Sequence, residues 1–177
     1  MSSGNIINYM GISPDIHPDA FVAPSAYVIG KVNIGAKASI WYNCTVRGDE
    51  EAIHIGAGTN IQDGSTIHTS GGVTDTWIGE HVLVGHMCLL HGCRIEDRAF
   101  IGMGSVILDE AVVESNAMLA AGSLLTPGKH IPTGELWAGS PAKYKRDLRP
   151  EDLEIYSEYV ARYVTLAENH TAALTSS

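Results

Sequence analysis

Large aliphatic residues recur along most of this chain at intervals of six positions. They stand at Ile16, Val22, Val28, Ile34, Ile40 and Val46, at Ile55, Ile61 and Ile67, at Ile78, Val84 and Leu90, and at Ile95, Ile101, Ile107, Val113, Leu119, Leu125 and Ile131. A small residue follows four positions after most of them, at Ala38, Cys44, Ser65, Cys88, Ala99, Ser105, Ala111, Ala117 and Ser123. An α-helix repeats at 3.6 residues and an ordinary strand at 2, so neither explains a period of six.

The six-residue period predicts a solenoid of short strands joined by tight corners. One large and one small inward position per unit suits a parallel β-helix, in which each coil stacks on the one before. Turn-forming residues soon after the aliphatic positions, such as Gly35, Gly79 and Asp97, support corners there. A chance periodicity in a β-sandwich is the alternative, and the unbroken series from Ile95 to Ile131 disfavours it.

The pattern changes after the solenoid and predicts a C-terminal helix. Gly and Pro interrupt the repeat between Trp137 and Lys143, and Pro150 suits a first helical turn. One helical stripe is formed by Leu153, Tyr156, Val160, Tyr163 and Ala167. We predict one domain, with an all-β solenoid over residues 1–140, a linker, and a helix over about 150–168 that packs on the solenoid. We expect a loose tail from His170 to Ser177.

Composition narrows the range of partners. The net charge of −9 argues against nucleic acid, because phosphate binding needs clustered Lys and Arg. The densest basic run, from Lys143 to Arg146, is short, and we interpret it as a solvated linker. No apolar run approaches the ~20 residues of a membrane span, so we expect no membrane partner. The first fifteen residues lack the basic and apolar regions of a signal peptide.

Three cysteines in a chain of 177 residues do not make a disulfide framework. We therefore expect a reducing, cytoplasmic setting. Cys44 and Cys88 occupy small inward positions of the repeat and are predicted to pack in the core. Cys93 lies near the candidate site described next, and its role, including any redox role, stays open.

The repeat resembles that of the hexapeptide-repeat proteins. Their coils are left-handed, contain three six-residue units each and have a triangular cross-section, and these properties are implied by the resemblance. It covers roughly residues 11–140. The implied fold is a left-handed parallel β-helix.

Counting three units per coil places the histidines of the stretch from Gln62 to Cys93, where the repeat is interrupted. His68 and His91 each follow an inward aliphatic residue of the same face by one position, so they stack in successive coils. Parallel strands lie about 4.8 Å apart, which lets two imidazoles share an ion with Zn–N bonds of about 2.0–2.1 Å. Arg47 falls directly beneath His68.

His86 falls on the adjoining face, with Asp63 beneath it. His86 and His91 are separated by up to about 16 Å of extended chain and a corner, so they should not meet in one subunit. If both bind one ion with His68, His86 must come from a neighbouring copy, and a triangular solenoid favours a closed trimer. A lone outward histidine is more often a surface residue, and we assign this role to His17, His54, His81, His130 and His170.

A set of short motifs is similar to that of the γ-class carbonic anhydrases and their close hexapeptide relatives. The motifs are Arg47-Gly48-Asp49-Glu50, Asn60-Ile61-Gln62-Asp63-Gly64, His68 and His86-x4-His91. The resemblance implies a homotrimer whose metal ion is held by His68 and His91 of one subunit and His86 of the next. It implies an interfacial ion pair of Arg47 and Asp49, with support from Asp63. It implies an active-site lining of Glu50, Asn60, Gln62 and Tyr163.

The activity that this resemblance implies is reversible hydration of CO2 to bicarbonate by a metal-bound hydroxide at the trimer interface, a lyase reaction. Three imidazoles with an open position form a catalytic Zn2+ pattern, although Fe2+ or Co2+ would also suit them. Zinc lowers the pKa of a bound water from 15.7 to about 7. Gln62 would orient the hydroxide or the substrate, and Glu50 would relay the proton.

One segment departs from the family's pattern. The best-known members carry a glutamate proton shuttle in an acidic loop after the first metal histidine, whereas residues Thr69 to Thr76 contain no glutamate. Thr165 stands where a helix asparagine is found two positions after the tyrosine. The rate of CO2 hydration, the native metal and the physiological substrate therefore stay open.

Three other functions stay open as well. The segment from Ala138 to Lys143 resembles the end of many hexapeptide-repeat acyltransferases, which bind acyl-CoA between coils and use a histidine as general base. The resemblance to relatives from phenylacetate and carnitine operons adds a metal-dependent thioesterase as the second. A non-catalytic trimeric protein with a structural ion is the third.

Overall fold

Residues 5–176 of the computed structural model are described, and within them a β-helix of short strands is followed by one helix. The strands are β1 (Asn5–Ile7), β2 (Asp15–Ile16), β3 (Phe21–Val22), β4 (Tyr27–Ile34), β5 (Ser39–Ile40), β6 (Thr45–Ile55), β7 (Asn60–Ile61), β8 (Thr66–His68), β9 (Thr76–Ile78), β10 (Leu83–Val84), β11 (Leu89–His91), β12 (Arg94–Ile95), β13 (Phe100–Ile101), β14 (Val106–Ile107), β15 (Val112–Val113), β16 (Met118–Leu119), β17 (Leu124–Leu125), β18 (His130–Ile131), β19 (Glu135–Ala138) and β20 (Lys143–Asp147). The helix is α1 (Pro150–Thr175). Two predictions extend beyond the described residues. Met1 to Gly4 belong to the N-terminal stretch that is not expected to be a signal peptide, and Ser177 belongs to the expected loose tail.

The strands form the three faces of a left-handed parallel β-helix, as the sequence predicts. The first face is one sheet in the order β3-β5-β7-β10-β13-β16-β19, with β20 antiparallel at its end. The second and third faces belong to one larger sheet, because β4 and β6 run continuously from one face to the other. Val84 pairs with Ile61 and Leu90 pairs with Ile67, so the predicted register between coils is confirmed.

The aliphatic positions of the repeat form the core. From Val22 to Ile131 every one of them is at most 1% exposed, and the small residues between them are buried as well. Burying one such aliphatic side chain contributes about 1.5–3 kcal/mol relative to leaving it in water. Stacking them in columns therefore holds the coils together, and the prediction of a two-slot interior is confirmed.

Most corners from Lys37 to Gly134 turn on a residue with positive φ that stands three positions after the aliphatic one; the units that begin at Val46, Ile67 and Leu90 are exceptions. These residues are Lys37, Asn43, Gly58, Gly64, His81, Met87, Arg98, Gly104, Glu110, Asn116, Gly122, Gly128 and Gly134. The left-handed conformation is open to glycine and tolerated by asparagine, but it strains other side chains. Sequence analysis missed this position because so many of its occupants are not glycine.

The helix α1 is longer than the 150–168 predicted, and it covers the first face. It contacts β3, β5, β7 and β10, and Val160 and Ala167 of the predicted stripe are buried. The prediction of a loose tail is wrong as far as Thr175, because His170 packs on Trp41 and its Nδ1 lies 2.9 Å from the Tyr42 hydroxyl. In residues 5–176 no helix combines the length and apolarity that crossing a bilayer requires.

The basic run from Lys143 to Arg146, predicted to be a solvated linker, forms part of strand β20. β20 pairs antiparallel with β19, which lets the chain reverse before the helix begins. Asp152 joins the two elements, because its carboxylate accepts hydrogen bonds from Arg146 Nη1 at 2.7 Å and from the Arg149 backbone at 2.8 Å. The basic run is therefore exposed but ordered.

Candidate metal centre

Two of the three predicted ligands lie side by side on adjacent strands. His68 ends β8, His91 ends β11, and the two residues are direct partners in the parallel ladder. Nδ1 of His68 lies 3.2 Å from Nε2 of His91, and the ring centroids are 5.2 Å apart. The predicted stacking of these two side chains is confirmed.

The other nitrogen of each ring is bound to a carboxylate. Nε2 of His68 donates to Oδ1 of Asp49 at 3.0 Å, and Nδ1 of His91 donates to Oδ1 of Asp109 at 2.6 Å. An ionised carboxylate only accepts hydrogen bonds, so in neutral imidazoles these nitrogens carry the protons and the facing nitrogens carry lone pairs. Two lone pairs cannot bond to each other, whereas a cation between them satisfies both.

The separation fits a metal ion. Two nitrogens that each lie about 2.0–2.1 Å from a tetrahedral zinc ion are about 3.3 Å from each other. The 3.2 Å between the facing nitrogens of His68 and His91 is close to that value. Carboxylates that orient ligating imidazoles through the distal N–H are a regular feature of such sites.

Asp49 is shared between His68 and Arg47. Nη1 of Arg47 lies 2.6 Å from Oδ2 of Asp49, so the ion pair that the family resemblance implies is present within one chain. Burial tends to raise the pKa of Asp49, but hydrogen bonds from Arg47 and His68 outweigh it and lower that pKa. Asp49 therefore stays ionised as an acceptor. A role for this pair between subunits remains a prediction.

Asp109 is a candidate site residue that sequence analysis missed. It follows β14, one coil above His91, and its carboxylate lies over Gly92, where a Cβ would come within 2.5 Å of Oδ1. A count of units from His91 reaches Leu108, one position short, because the corner at Gly92 brings the next residue into reach. The sequence signal that could have identified Asp109 is a carboxylate one position after Leu108, the residue that the register places above His91.

His86 lies at a different corner. His68 and His91 are at the corner between the second and third faces, whereas His86 follows β10 at the corner between the first and second faces. Its Nδ1 is 3.1 Å from Oδ2 of Asp63, its side chain is 42% exposed, and its Nε2 contacts no partner within residues 5–176. The predicted position of Asp63 beneath His86 is confirmed.

The three predicted ligands do not come together within one chain. Residues 5–176 contain no group of three or more His, Cys, Asp or Glu side chains placed to hold an ion. This separation agrees with the argument from register that His86 faces a neighbouring copy. Ligation by His68, His86 and His91 remains a prediction.

Asn60 and Gln62 lie on the first face, in β7 and directly after it, and Tyr163 lies on α1, which packs on that face. Asn60 and Gln62 are buried, and Nε2 of Gln62 donates to Oδ1 of Asn60 at 3.0 Å. Tyr163 packs edge-on against Trp41, with ring centroids 5.3 Å apart. Burial, with a smaller contribution from the charge of Asp63, raises the pKa of Tyr163, so its hydroxyl stays protonated at neutral pH.

Glu50 lies against the insertion that follows His68. It is exposed at the bend of β6, and a Cβ on Gly71 would come within 2.7 Å of its carboxylate. The neighbouring Glu51 accepts a hydrogen bond from the Gly72 backbone at 3.1 Å. The loop supplies no glutamate of its own but packs against one from β6.

The cysteines are buried thiols. Burial raises the pKa of Cys44 and Cys93 to about 12 and that of Cys88 to about 11. They are therefore protonated at neutral pH, and the core positions predicted for Cys44 and Cys88 are confirmed. Cys93 is equally buried, so it packs in the interior beside the candidate site.

Comparison with known proteins identifies the family, although no protein-family model matches the chain. The chain is 48% identical over 172 residues to gamma carbonic anhydrase 2, mitochondrial, of Arabidopsis thaliana, a match that covers 94% of this chain and 62% of that protein. A solved hexapeptide transferase family protein from Anaplasma phagocytophilum is 46% identical, with a TM-score of 0.90 over 93% of this chain and 97% of that one. The chain belongs to the γ-carbonic anhydrase-like family of hexapeptide-repeat proteins.

A second solved member of this fold is a proposed acetyltransferase from Bacillus cereus. It is 38% identical, with a TM-score of 0.94 over 97% of this chain and 99% of that one. Solved structures similar to this chain therefore include one that is named for acetyl transfer. This chain spans less than two thirds of the length of the plant carbonic anhydrases that it matches.

The expected cytoplasmic location is wrong on this comparison. The gamma carbonic anhydrases of Arabidopsis thaliana that match the chain are named mitochondrial. The expectation rested on the low cysteine count. A low cysteine count indicates a reducing environment, and it does not distinguish the cytoplasm from other reducing compartments.

Proposed function

We propose that this protein catalyses the reversible hydration of CO2 to bicarbonate at a metal centre shared between subunits of a homotrimer. The observation that carries the proposal is the pair of facing imidazole nitrogens, 3.2 Å apart, on rings whose other nitrogens are held by carboxylates. The plant relatives named as gamma carbonic anhydrases support the same reaction.

His68 and His91 of one subunit would hold the ion together with His86 of the next. Zinc bound by three imidazoles lowers the pKa of a coordinated water from 15.7 to about 7, which is the chemistry that CO2 hydration needs. Iron or cobalt suits the same ligands. In the single chain, Asp63 already fixes Nδ1 of His86 and leaves Nε2 pointing to no partner within residues 5–176.

Asp49 and Asp109 determine which nitrogen of each ring is free. Each accepts the distal N–H, so the lone pair is directed at the same point between the rings before any ion binds. A preorganised pair of ligands loses less side-chain freedom on binding than two freely rotating imidazoles. Their task in the proposed reaction is orientation of the ligands.

The buried amide pair orients the substrate. Asn60 accepts one N–H of Gln62, which fixes the rotamer of the Gln62 amide and leaves its oxygen and second N–H for a reactant. Tyr163 keeps its proton and acts as a hydrogen-bond donor. Glu50, exposed at the rim beside Gly71, carries the proton to solvent.

Metal analysis and CO2 hydration kinetics test the proposal separately. Untagged protein saturated with zinc should hold about one ion per subunit, and His86→Ala should lose most of it. Stopped-flow CO2 hydration should be faster for the wild type than for His86→Ala. Equal rates for the two proteins would contradict the proposed reaction even if zinc is bound.

Mixed oligomers test whether the centre is shared. Subunits carrying His68→Ala and subunits carrying His86→Ala each lack one ligand. A trimer containing both regains some intact sites if His68 and His86 of different chains meet. No recovery of bound zinc or of activity on mixing would show instead that the ligands come from one chain.

Acyl transfer is the second candidate, because both solved relatives are named as transferases. It predicts release of free CoA from acetyl-CoA in the presence of an amine or alcohol. A rate of CoA release that depends on His86, without CO2 hydration, would favour this candidate.

A further inference from the structure

A cavity of about 250 Å³ lies between α1 and the first face, away from the candidate metal centre. It opens at the corner between the third and first faces, where His81, Arg98 and Asn116 stack in successive coils. His86 lies at the other edge of the first face, at the corner with the second face. No residue assigned to CO2 hydration lines the cavity, although Asn60 is the ladder partner of Leu83, which does.

The walls of the cavity are apolar. Leu83 and Phe100 line it from the solenoid, and Tyr156 and Val160 line it from the helix. The rings of Phe100 and Tyr156 stack with centroids 4.2 Å apart, so one wall is a fixed aromatic surface. Walls of this kind favour an apolar ligand body, with selectivity left to a few polar groups.

The polar group at the mouth is a cation without an anionic partner. Nε of Arg98 donates to Oδ1 of Asn116 at 3.2 Å, which orients the guanidinium, and its Nη groups contact no partner among residues 5–176. No Asp or Glu of the described residues lines the cavity. The chain has a net charge of −9, whereas the residue Arg98 at the mouth of this cavity is positively charged.

Arg98 stands at a corner whose backbone is left-handed. Arg98 has a φ of 57° at a corner position that glycine fills in several other coils. Glycine adopts this conformation without the steric strain that a Cβ introduces. His81 and Asn116 in the adjacent coils have the same conformation, so the corner backbone places all three side chains at the mouth of the cavity.

We propose that this cavity binds a small carboxylate with a short aliphatic or aromatic body. The free edge of the Arg98 guanidinium matches the two oxygens of a carboxylate, and the apolar walls accept the rest of the molecule. Small-molecule pockets measure about 300–1,000 Å³, so a cavity just below that range takes a ligand of few heavy atoms. His81 adds a ring nitrogen at the rim.

Isothermal titration calorimetry of the full chain with hexanoate tests this site. Wild-type protein should bind with a Kd of about 1 mM, the strength expected for so small a ligand. Arg98→Gln keeps a side chain able to reach Asn116 but removes the charge, and it should weaken binding about tenfold. Hexanamide, the neutral counterpart, should bind the wild type about as weakly as hexanoate binds Arg98→Gln.

Matched variants separate this cavity from other binding. Ser157→Trp, at the helix side of the cavity, should abolish hexanoate binding by filling the space. Lys143→Gln, which removes an exposed cation elsewhere, and His86→Ala should leave binding unchanged. Equal affinity of Arg98→Gln and wild type, tight binding of hexanamide, or no heat at about 10 mM hexanoate would each overturn the proposal.

Discussion

Asp109 reaches down one coil of the solenoid to hold Nδ1 of His91 at 2.6 Å. We predict that Asp109→Asn weakens zinc binding by about 10- to 100-fold, because a carboxamide no longer fixes the imidazole through a charged acceptor. Competition with a chromophoric chelator measures the affinity. Glu110→Gln, which removes the neighbouring charge, is the control and should bind zinc like the wild type. If Asp109→Asn binds equally well, Asp109 has no orienting role.

Gly71→Ala should slow proton transfer without unfolding the protein. The new Cβ would come within 2.7 Å of the Glu50 carboxylate, which must then move away from its present position. Because the displaced group is the end of a flexible side chain, the free energy of unfolding should change by less than about 1 kcal/mol. CO2 hydration at low buffer concentration should fall several-fold and recover when a buffer of matching pKa replaces the relay.

Gly72→Ala provides the comparison for that experiment. Gly72 has a φ of 68° and no heavy atom within 4 Å of an added Cβ, so the substitution strains the backbone but displaces nothing. It should lower the stability of the loop and leave the buffer dependence unchanged. The same buffer dependence in both variants would show that Glu50 does not relay the proton.

The cysteines should resist thiol reagents in the folded protein. Burial raises the pKa of all three thiols to between about 11 and about 12, so the reactive thiolate is scarce and inaccessible at pH 8. We expect no fast reaction with a disulfide reagent until the protein is unfolded in guanidinium, when all three thiols react. Fast labelling of Cys93 alone in the native protein would contradict its assignment to the interior.

Asp152 should stabilise the junction between β20 and α1 in a pH-dependent way. Hydrogen bonds from Arg146 and the Arg149 backbone lower the pKa of Asp152 to about 2. A depressed carboxyl pKa contributes stability above its ordinary value of about 4, and this contribution is lost as the pH falls from about 4 to about 2. Asp152→Asn should therefore cost about 1 kcal/mol at pH 7 and progressively less below pH 4.

Urea unfolding of wild type, Asp152→Asn and Glu151→Gln at equal protein concentration measures this effect. Glu151 lies in the same helical turn but has no ion-pair partner among the described residues, so its substitution should change little. A difference between wild type and Asp152→Asn that stays constant from pH 7 to pH 3 would contradict the linkage.

The sequence predicted the solenoid well because one rule repeats many times. Each coil adds another aliphatic residue to the same column. A local irregularity, such as the interval of nine residues between Val46 and Ile55, therefore does not disturb the count. In the structure this irregular interval lies within one continuous strand, β6, which passes from the second face to the third without the usual corner. The pairing of His68 with His91 followed from the same count.

Features that depend on a single contact escaped prediction. Asp109 reaches His91 only because the corner at Gly92 is tight, and no periodic pattern records that. The end of α1 was misplaced because His170 looks like a polar tail residue, while in the structure it packs among Trp41 and Tyr42. The contacts of such residues can be predicted only after the position of the neighbouring coil or face is known.

The two corners of the second face give each chain a direction. One corner carries the carboxylate-held pair His68 and His91, and the other carries His86 with Asp63. If these corners meet between copies, an open pair of chains completes one junction and leaves an unmatched corner at each end, whereas a closed ring leaves none. Bound metal per chain would then report ring closure, and a partner chain that lacks one corner would disable one junction without disturbing the others.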